Sequence, residues 1–136
     1  MNDNVLFDAV YDTSTELGDE RARQITDECF TPEGDDAHVS GELALAAAAY
    51  LLKGTRAERT KSVCLRQRGG GQETFDVPEP WPHGWDPRWF RPGDRRRNLV
   101  KAGALIIAEI ERLDRATAVT KPVDAVALVD DAGGGQ

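Results

Sequence analysis

The sequence predicts an all-α fold: a compact helical bundle completed by oligomerisation, with an irregular Trp- and Pro-rich loop and a small β-hairpin. Three observations predict it. Residues 94–117 carry apolar side chains at three- and four-residue spacing. Residues 43–52 are almost continuously apolar. Between them, residues 78–92 hold five prolines and all three tryptophans, a composition that excludes a long helix. The chain has 136 residues, enough for one domain with a core and too few for two.

Residues 4–28 read as the first helix. Leu6, Val10 and Leu17 form part of one stripe, with Phe7, Ala9, Ala22 and Ile25 beside it. Gly18 weakens the middle and marks a candidate break. Residues 30–36 read as a loop. Asp35 or Asp36 then serves as N-cap of a second helix that ends near Lys53-Gly54. Ser62–Leu65 and Thr74–Val77 read as short strands around Gly69-Gly70-Gly71. The Pro78–Pro92 stretch reads as an ordered aromatic loop packed on the helices. The last helix runs from Asp94, its cap, to about Thr117. Its core stripe is Leu99, Gly103, Ile106, Ile110 and Leu113, widened by Ala102, Leu105 and Ile107. Arg112 and Arg115 suit the negative end of its dipole. The domain therefore spans 1–117 with a 55–93 loop insertion. Residues 118–136 read as a tail that docks on a partner subunit through Val123 to Val129. Three helices, two of them strongly apolar, leave surplus apolar surface, so a homo-oligomer, dimer or tetramer, is expected.

The formal net charge is -7 and the pI about 4.8, which disfavours a duplex nucleic-acid partner. A polyanionic nucleotide can still bind an acidic protein through a divalent cation. Cys29 and Cys64 are expected as reduced thiols. No basic-then-apolar leader and no apolar run near ~20 residues is visible, so a cytoplasmic, non-membrane protein is expected.

Three constellations could carry chemistry. The first is a metal site. Glu20, Gln24 and Glu28 repeat at helical spacing, with Glu16 preceding them. Asp35, Asp36, His38 and Glu42 cluster at the start of the second helix, and Asp94 and Asn98 at the start of the last. Glu42 stands about one turn into an apolar helix, where a charge is costly unless paired or bound to metal. Hard oxygen donors suit Mg²⁺ or Mn²⁺. Alternatively, Asp35 and Asp36 are only caps and His38 is a structural histidine. The second constellation is a polyphosphate grip of Arg95, Arg96, Arg97 and Lys101, with Arg21 and Arg23 from the first helix. A solvated basic helix start explains the arginine run equally well. The third is the tryptophan loop. Trp81, Trp85 and Trp89, with His83, either stack on a base or close the core. No Gly-x-x-x-x-Gly-Lys-Ser/Thr loop, zinc-finger spacing or Gly-x-Ser-x-Gly elbow is present.

Several blocks resemble a known group. They are Glu20-Arg21-Ala22-Arg23-Gln24-Ile25, Thr31 to His38, Gly41-Glu42-Leu43-Ala44, and Asp94 to Asp114. Together they resemble phage proteins of the MazG-like, all-α nucleoside triphosphate pyrophosphatase superfamily, within it the MazZ-type (d)GTP diphosphohydrolases. The resemblance covers roughly residues 16–54 and 78–115. It implies conversion of a purine nucleoside triphosphate, dGTP or GTP, to monophosphate and pyrophosphate in phage nucleotide metabolism, in the host cytoplasm. It implies two or three Mg²⁺ or Mn²⁺ ions and a bundle built by oligomerisation. Taken with the constellations above, the candidate catalytic residues are Glu42, Glu20 and Lys101. The candidate metal ligands are Glu42, His38, Asp36, Asp35, Glu20 and Asn98. The candidate substrate-binding residues are Arg21, Arg95, Arg96, Lys101, Trp85 and Trp89. The superfamily pattern is Glu-x-x-Glu followed on a later helix by Glu-x-x-Asp. Glu42 matches the second glutamate, but Val39 stands in place of the first, and Asn98 and Lys101 fall where the later motif would be. Two other outcomes fit the altered motif: a nucleotide-sensing module without turnover, or an acidic phage interaction protein.

Overall fold

The computed structural model describes residues 3–28 and 30–120. The chain is mainly helical with one small antiparallel hairpin. In order it forms α1 (Asp3–Asp27), α2 (Pro32–Asp35), α3 (Glu42–Leu52), β1 (Thr60–Arg66), β2 (Gln72–Pro78), a 3-10 turn (Pro87–Trp89) and α4 (Arg95–Thr120). The expected docking of Val123 to Val129 lies outside the described residues; α4 itself claims the start of the expected tail.

α1 runs unbroken through Gly18, so the expected break is absent. Its second half is tied to α4, which removes any need for the chain to turn there. A short helix, α2, forms inside the expected 30–36 loop, and the long apolar helix begins later than expected, at Glu42. Thr31, not an aspartate, caps the short α2, its hydroxyl accepting from Gly34 N at 3.1 Å. The chain then turns, and Gly41 takes a left-handed φ of 85° immediately before Glu42. Glu42 is therefore the first residue of α3 and not a charge in its interior. There the helix dipole favours a carboxylate, and Glu42 Oε1 accepts from Ser40 N at 2.8 Å. The expected electrostatic conflict at Glu42 is absent.

The hairpin forms where expected, with Val63 opposite Phe75 and Arg66 opposite Gln72. Gly69 and Gly70 supply the positive φ angles of its turn, 90° and 96°. Asp94 caps α4, accepting from Arg97 N at 2.8 Å. Alanines on both helices let α3 and α4 pack closely. Leu43, Ala46, Ala49 and Tyr50 of α3 meet Ala102, Leu105 and Ala108 of α4, and Val77, Trp81 and Trp85 close the cluster.

The stripe expected as the core of α4 faces outward instead. Leu99, Ile106, Ile110 and Leu113 are 40–52% exposed. The buried face is made of Asn98, Val100, Ala102, Ala104, Leu105 and Ala108, small enough for α3 to approach. Gly103 is the exception within the stripe. α1 crosses there, and a Cβ on Gly103 would lie 2.7 Å from Leu17 Cδ2. The first half of α1, residues 4–15, is exposed throughout, with Leu6, Phe7 and Val10 among it. No described helix is long and apolar enough to cross a membrane.

Candidate functional site

Helical spacing brings Glu20, Arg23, Gln24 and Glu28 onto neighbouring turns of α1. Arg23 joins the two carboxylates. Its Nη2 donates to Glu20 Oε2 at 2.8 Å and to Glu28 Oε2 at 2.6 Å, and its Nε donates to Glu20 Oε1 at 2.9 Å. Arg97 from α4 donates to Glu20 Oε1 at 2.6 Å. Gln24 Nε2 leans on Glu20 at 3.4 Å, while its buried Oε1 has no partner. Burial of Glu20 works to raise its pKa, but the Arg23 and Arg97 hydrogen bonds and charges outweigh it and hold the carboxyl below its usual value. The same contacts raise the Arg23 guanidinium.

Lys101 stands beside this cluster. Its Nζ donates to Arg91 O and sits 5.6 Å above the Tyr50 ring. Burial lowers the pKa of its ammonium, and Arg97 adds to the effect; Glu28 and Glu20 oppose it. A buried clamp lies nearby. Arg21 donates to Asp35 at 2.9 Å, to Phe30 O at 2.8 Å and to Glu111 at 3.1 Å, joining α1, the loop, α2 and α4. Burial raises the Asp35 pKa despite Arg21, and Asp35 Oδ1 is left without a partner.

A cavity of about 430 Å³ opens at the end of α1. Its wall is aromatic. Trp85 stacks with Phe30 at 6.1 Å, tilts against His38 at 4.9 Å and meets Trp89 edge-on at 5.8 Å. Its rim is charged, with Asp27, Glu28 and Arg91. Glu28 thus belongs to both the cavity and the Arg23-bridged pair.

The structure therefore brings His38, Trp85 and Trp89 into one cavity, with Glu20 adjoining it through Arg23 and Glu28, and Lys101 through Arg91. The other expected site residues lie elsewhere. Glu42 stands in the first turn of α3 and accepts from Ser40 N. Asp36 pairs with Arg115 at 2.8 Å. Asn98 clasps Gly93, accepting from its N at 2.7 Å and donating to its O at 3.2 Å. Arg95 donates to Leu51 O at 2.7 Å, closing the end of α3, and Arg96 pairs with Glu16 at 2.7 Å. Arg21 is spent on its clamp. Asp27, Phe30 and Arg91 were not singled out from the sequence. Asp27 and Phe30 flank Glu28 and could have been found by extending the Glu20 row to the helix end; Arg91 carries no sequence signal.

Among the described residues, no group of three or more His, Cys, Asp or Glu side chains converges as a metal-binding set. The six expected ligands do not fit one two- or three-ion centre in this arrangement. No protein-family model matches the chain, and neither the curated proteins nor the solved structures contain a significant match to it.

Proposed function

We propose that this chain is a nucleoside triphosphate diphosphohydrolase acting on a purine nucleotide, dGTP or GTP, and releasing monophosphate and pyrophosphate. The observation that carries this reading is the junction at Glu28, where an aromatic cavity meets a paired-carboxylate cluster with Arg23, Arg97 and Lys101 around it. A cavity of about 430 Å³ falls within the usual size of small-molecule sites. Trp85, Trp89 and Phe30 offer faces for a base, and Asp27 and Glu28 can accept N–H groups from its edge. The nearby cations suit phosphate oxygens. The resemblance over the Glu20, Thr31–His38 and Asp94–Asp114 blocks supports hydrolysis as the reaction. A requirement for Mg²⁺ or Mn²⁺ rests on the resemblance alone, since the expected ligands are not gathered into one centre; self-association through the exposed stripes of α1 and α4 belongs to the same reading.

The test is incubation of the purified chain with each common nucleoside triphosphate and either cation. Pyrophosphate and purine monophosphate are expected, with turnover lost in Glu28→Gln and Glu20→Gln. No product under any divalent cation overturns the reading. One observation favours a second reading, nucleotide sensing without turnover: Glu20 and Glu28 are already neutralised by arginines. Saturable nucleotide binding without product would select it.

A further inference from the structure

The hairpin leaves one strand edge open. β2 covers one side of β1, and among the described residues no other strand pairs with it. A groove of about 770 Å³ separates that strand from the Pro82–Trp89 stretch. All residues from 61 to 66 line it. Successive side chains of a strand point to opposite faces. A wall of six consecutive residues is therefore the edge of β1, where half of its N–H and C=O groups point away from β2. The groove also differs in charge from the rest of the chain. Lys61, Arg66 and Arg88 line it against one carboxylate, Asp86, in a protein whose net charge is -7. Lys61 is held by Trp81 O and Arg88 by Asp86, but Arg66 is exposed and makes no ion pair among the described residues. Trp89, 49% exposed, stands on the opposite wall as an anchor for an apolar side chain.

We infer that this groove takes an extended acidic peptide segment of another protein by strand addition. The peptide backbone pairs with the open edge of β1, its carboxylates meet Arg66, and an apolar residue seats on Trp89. An unpaired strand edge supplies backbone hydrogen bonds that a nucleic acid cannot use in register, and the acidity of the chain opposes a long polyanion. The inference is independent of the nucleotide reading, although Trp85 and Trp89 line both cavities.

The test is selection of random ten-residue peptides on the purified chain, followed by synthesis of the strongest binders and titration by tryptophan fluorescence. Acidic residues alternating with β-branched ones are expected among the binders. Arg66→Glu, at an exposed position, should weaken binding about fivefold without moving the thermal midpoint. N-methylation of alternate peptide amides should abolish binding in one register and spare it in the other, a readout made on the unaltered protein. Failure to enrich any peptide, binders without acidic bias, tolerance of N-methylation in both registers, or displacement of the peptide by a ten-residue oligothymidylate would each overturn the inference.

Discussion

The bundle is held on one side by charge and on the other by hydrocarbon. Where α1 meets α4, ion pairs join Arg96 with Glu16, Arg97 with Glu20 and Arg21 with Glu111, around the close approach of Leu17 to Gly103. Where α3 meets α4 and the aromatic loop, Tyr50 and Phe90 pack edge to face with Trp81 among alanines and leucines. Burying hydrocarbon stabilises in proportion to area and does not depend on pH. The Arg96–Glu16 pair is exposed and adds little; Glu20 and Arg21 are buried members of their pairs, must offset desolvation, and cost much when their partner is removed. The aromatic side should therefore anchor the fold, and the charged side should fix where α1 lies and how the cavity at its end is shaped.

The largest expected effect falls on the aromatic side. Trp81 is 2% exposed and touches three other rings. Trp81→Ala should cost about 4 kcal/mol in urea unfolding. A loss below about 1 kcal/mol would mean that the charged side carries the fold after all. Next comes Arg21→Ala, which strands Asp35 in the interior and frees Phe30 O; about 3 kcal/mol is expected. The double change Arg21→Met with Asp35→Leu should recover most of it, because no charge is then left buried alone. If the double variant is as unstable as the single one, packing rather than charge compensation holds that corner.

A smaller effect separates the two sides by pH. Glu20 has a folded pKa below 4.5, so the stability it supplies is complete above 4.5 and is lost as the pH falls through its lower folded value. Asp35 has a folded pKa above 3.8, so it opposes folding at neutral pH, and that penalty fades as the pH falls towards 3.8. In urea midpoints measured against pH, the gap between the parent chain and Glu20→Gln should narrow below pH 4.5. Asp35→Asn should make the acid loss steeper, since the compensating relief is gone. Parallel curves for all three would deny these carboxylates a role in linkage.

Legibility in the sequence followed the same division. The hairpin could be read because glycines allow few alternatives in its turn, and the Asp94 cap because capping is local chemistry. The start of α3 was misplaced because Asp35 and Asp36 are good caps by residue type, while the deciding feature, the left-handed Gly41, is a backbone choice. That error turned Glu42 from a favourable helix-end carboxylate into an apparent buried charge. In the candidate site, Trp85, Trp89 and His38 were legible as unusual residues. Their convergence on Asp27, Glu28 and Arg91 was not, because it depends on how the Pro82–Trp89 stretch folds back on the end of α1. Asn98 and Asp36 looked like ligands by type, but side-chain type does not reveal that the clasp on Gly93 and the Arg115 pair already occupy them.

The stripe on α4 was read correctly as a pattern and wrongly as a buried face, and the smallest expected effect on the single chain follows from it. Leu99, Gly103, Ile106, Ile110 and Leu113 keep the alternating four- and three-residue spacing of a coiled-coil seam. Gly103 packs against Leu17, whereas Leu99, Ile106, Ile110 and Leu113 are about half exposed, as are Leu6 and Val10 of α1. A helix half such as residues 4–15, exposed along its whole length, is marginal in water. A second copy that covers both stripes would supply what the single chain lacks. Ile110→Glu, at an exposed position, should change single-chain stability by less than about 0.5 kcal/mol, yet lower the mass measured by light scattering towards that of one chain. Leu6→Glu should do the same from the other helix. If the parent chain is already a monomer at high concentration, the outward seam serves no self-association, and the heptad spacing of α4 needs another cause.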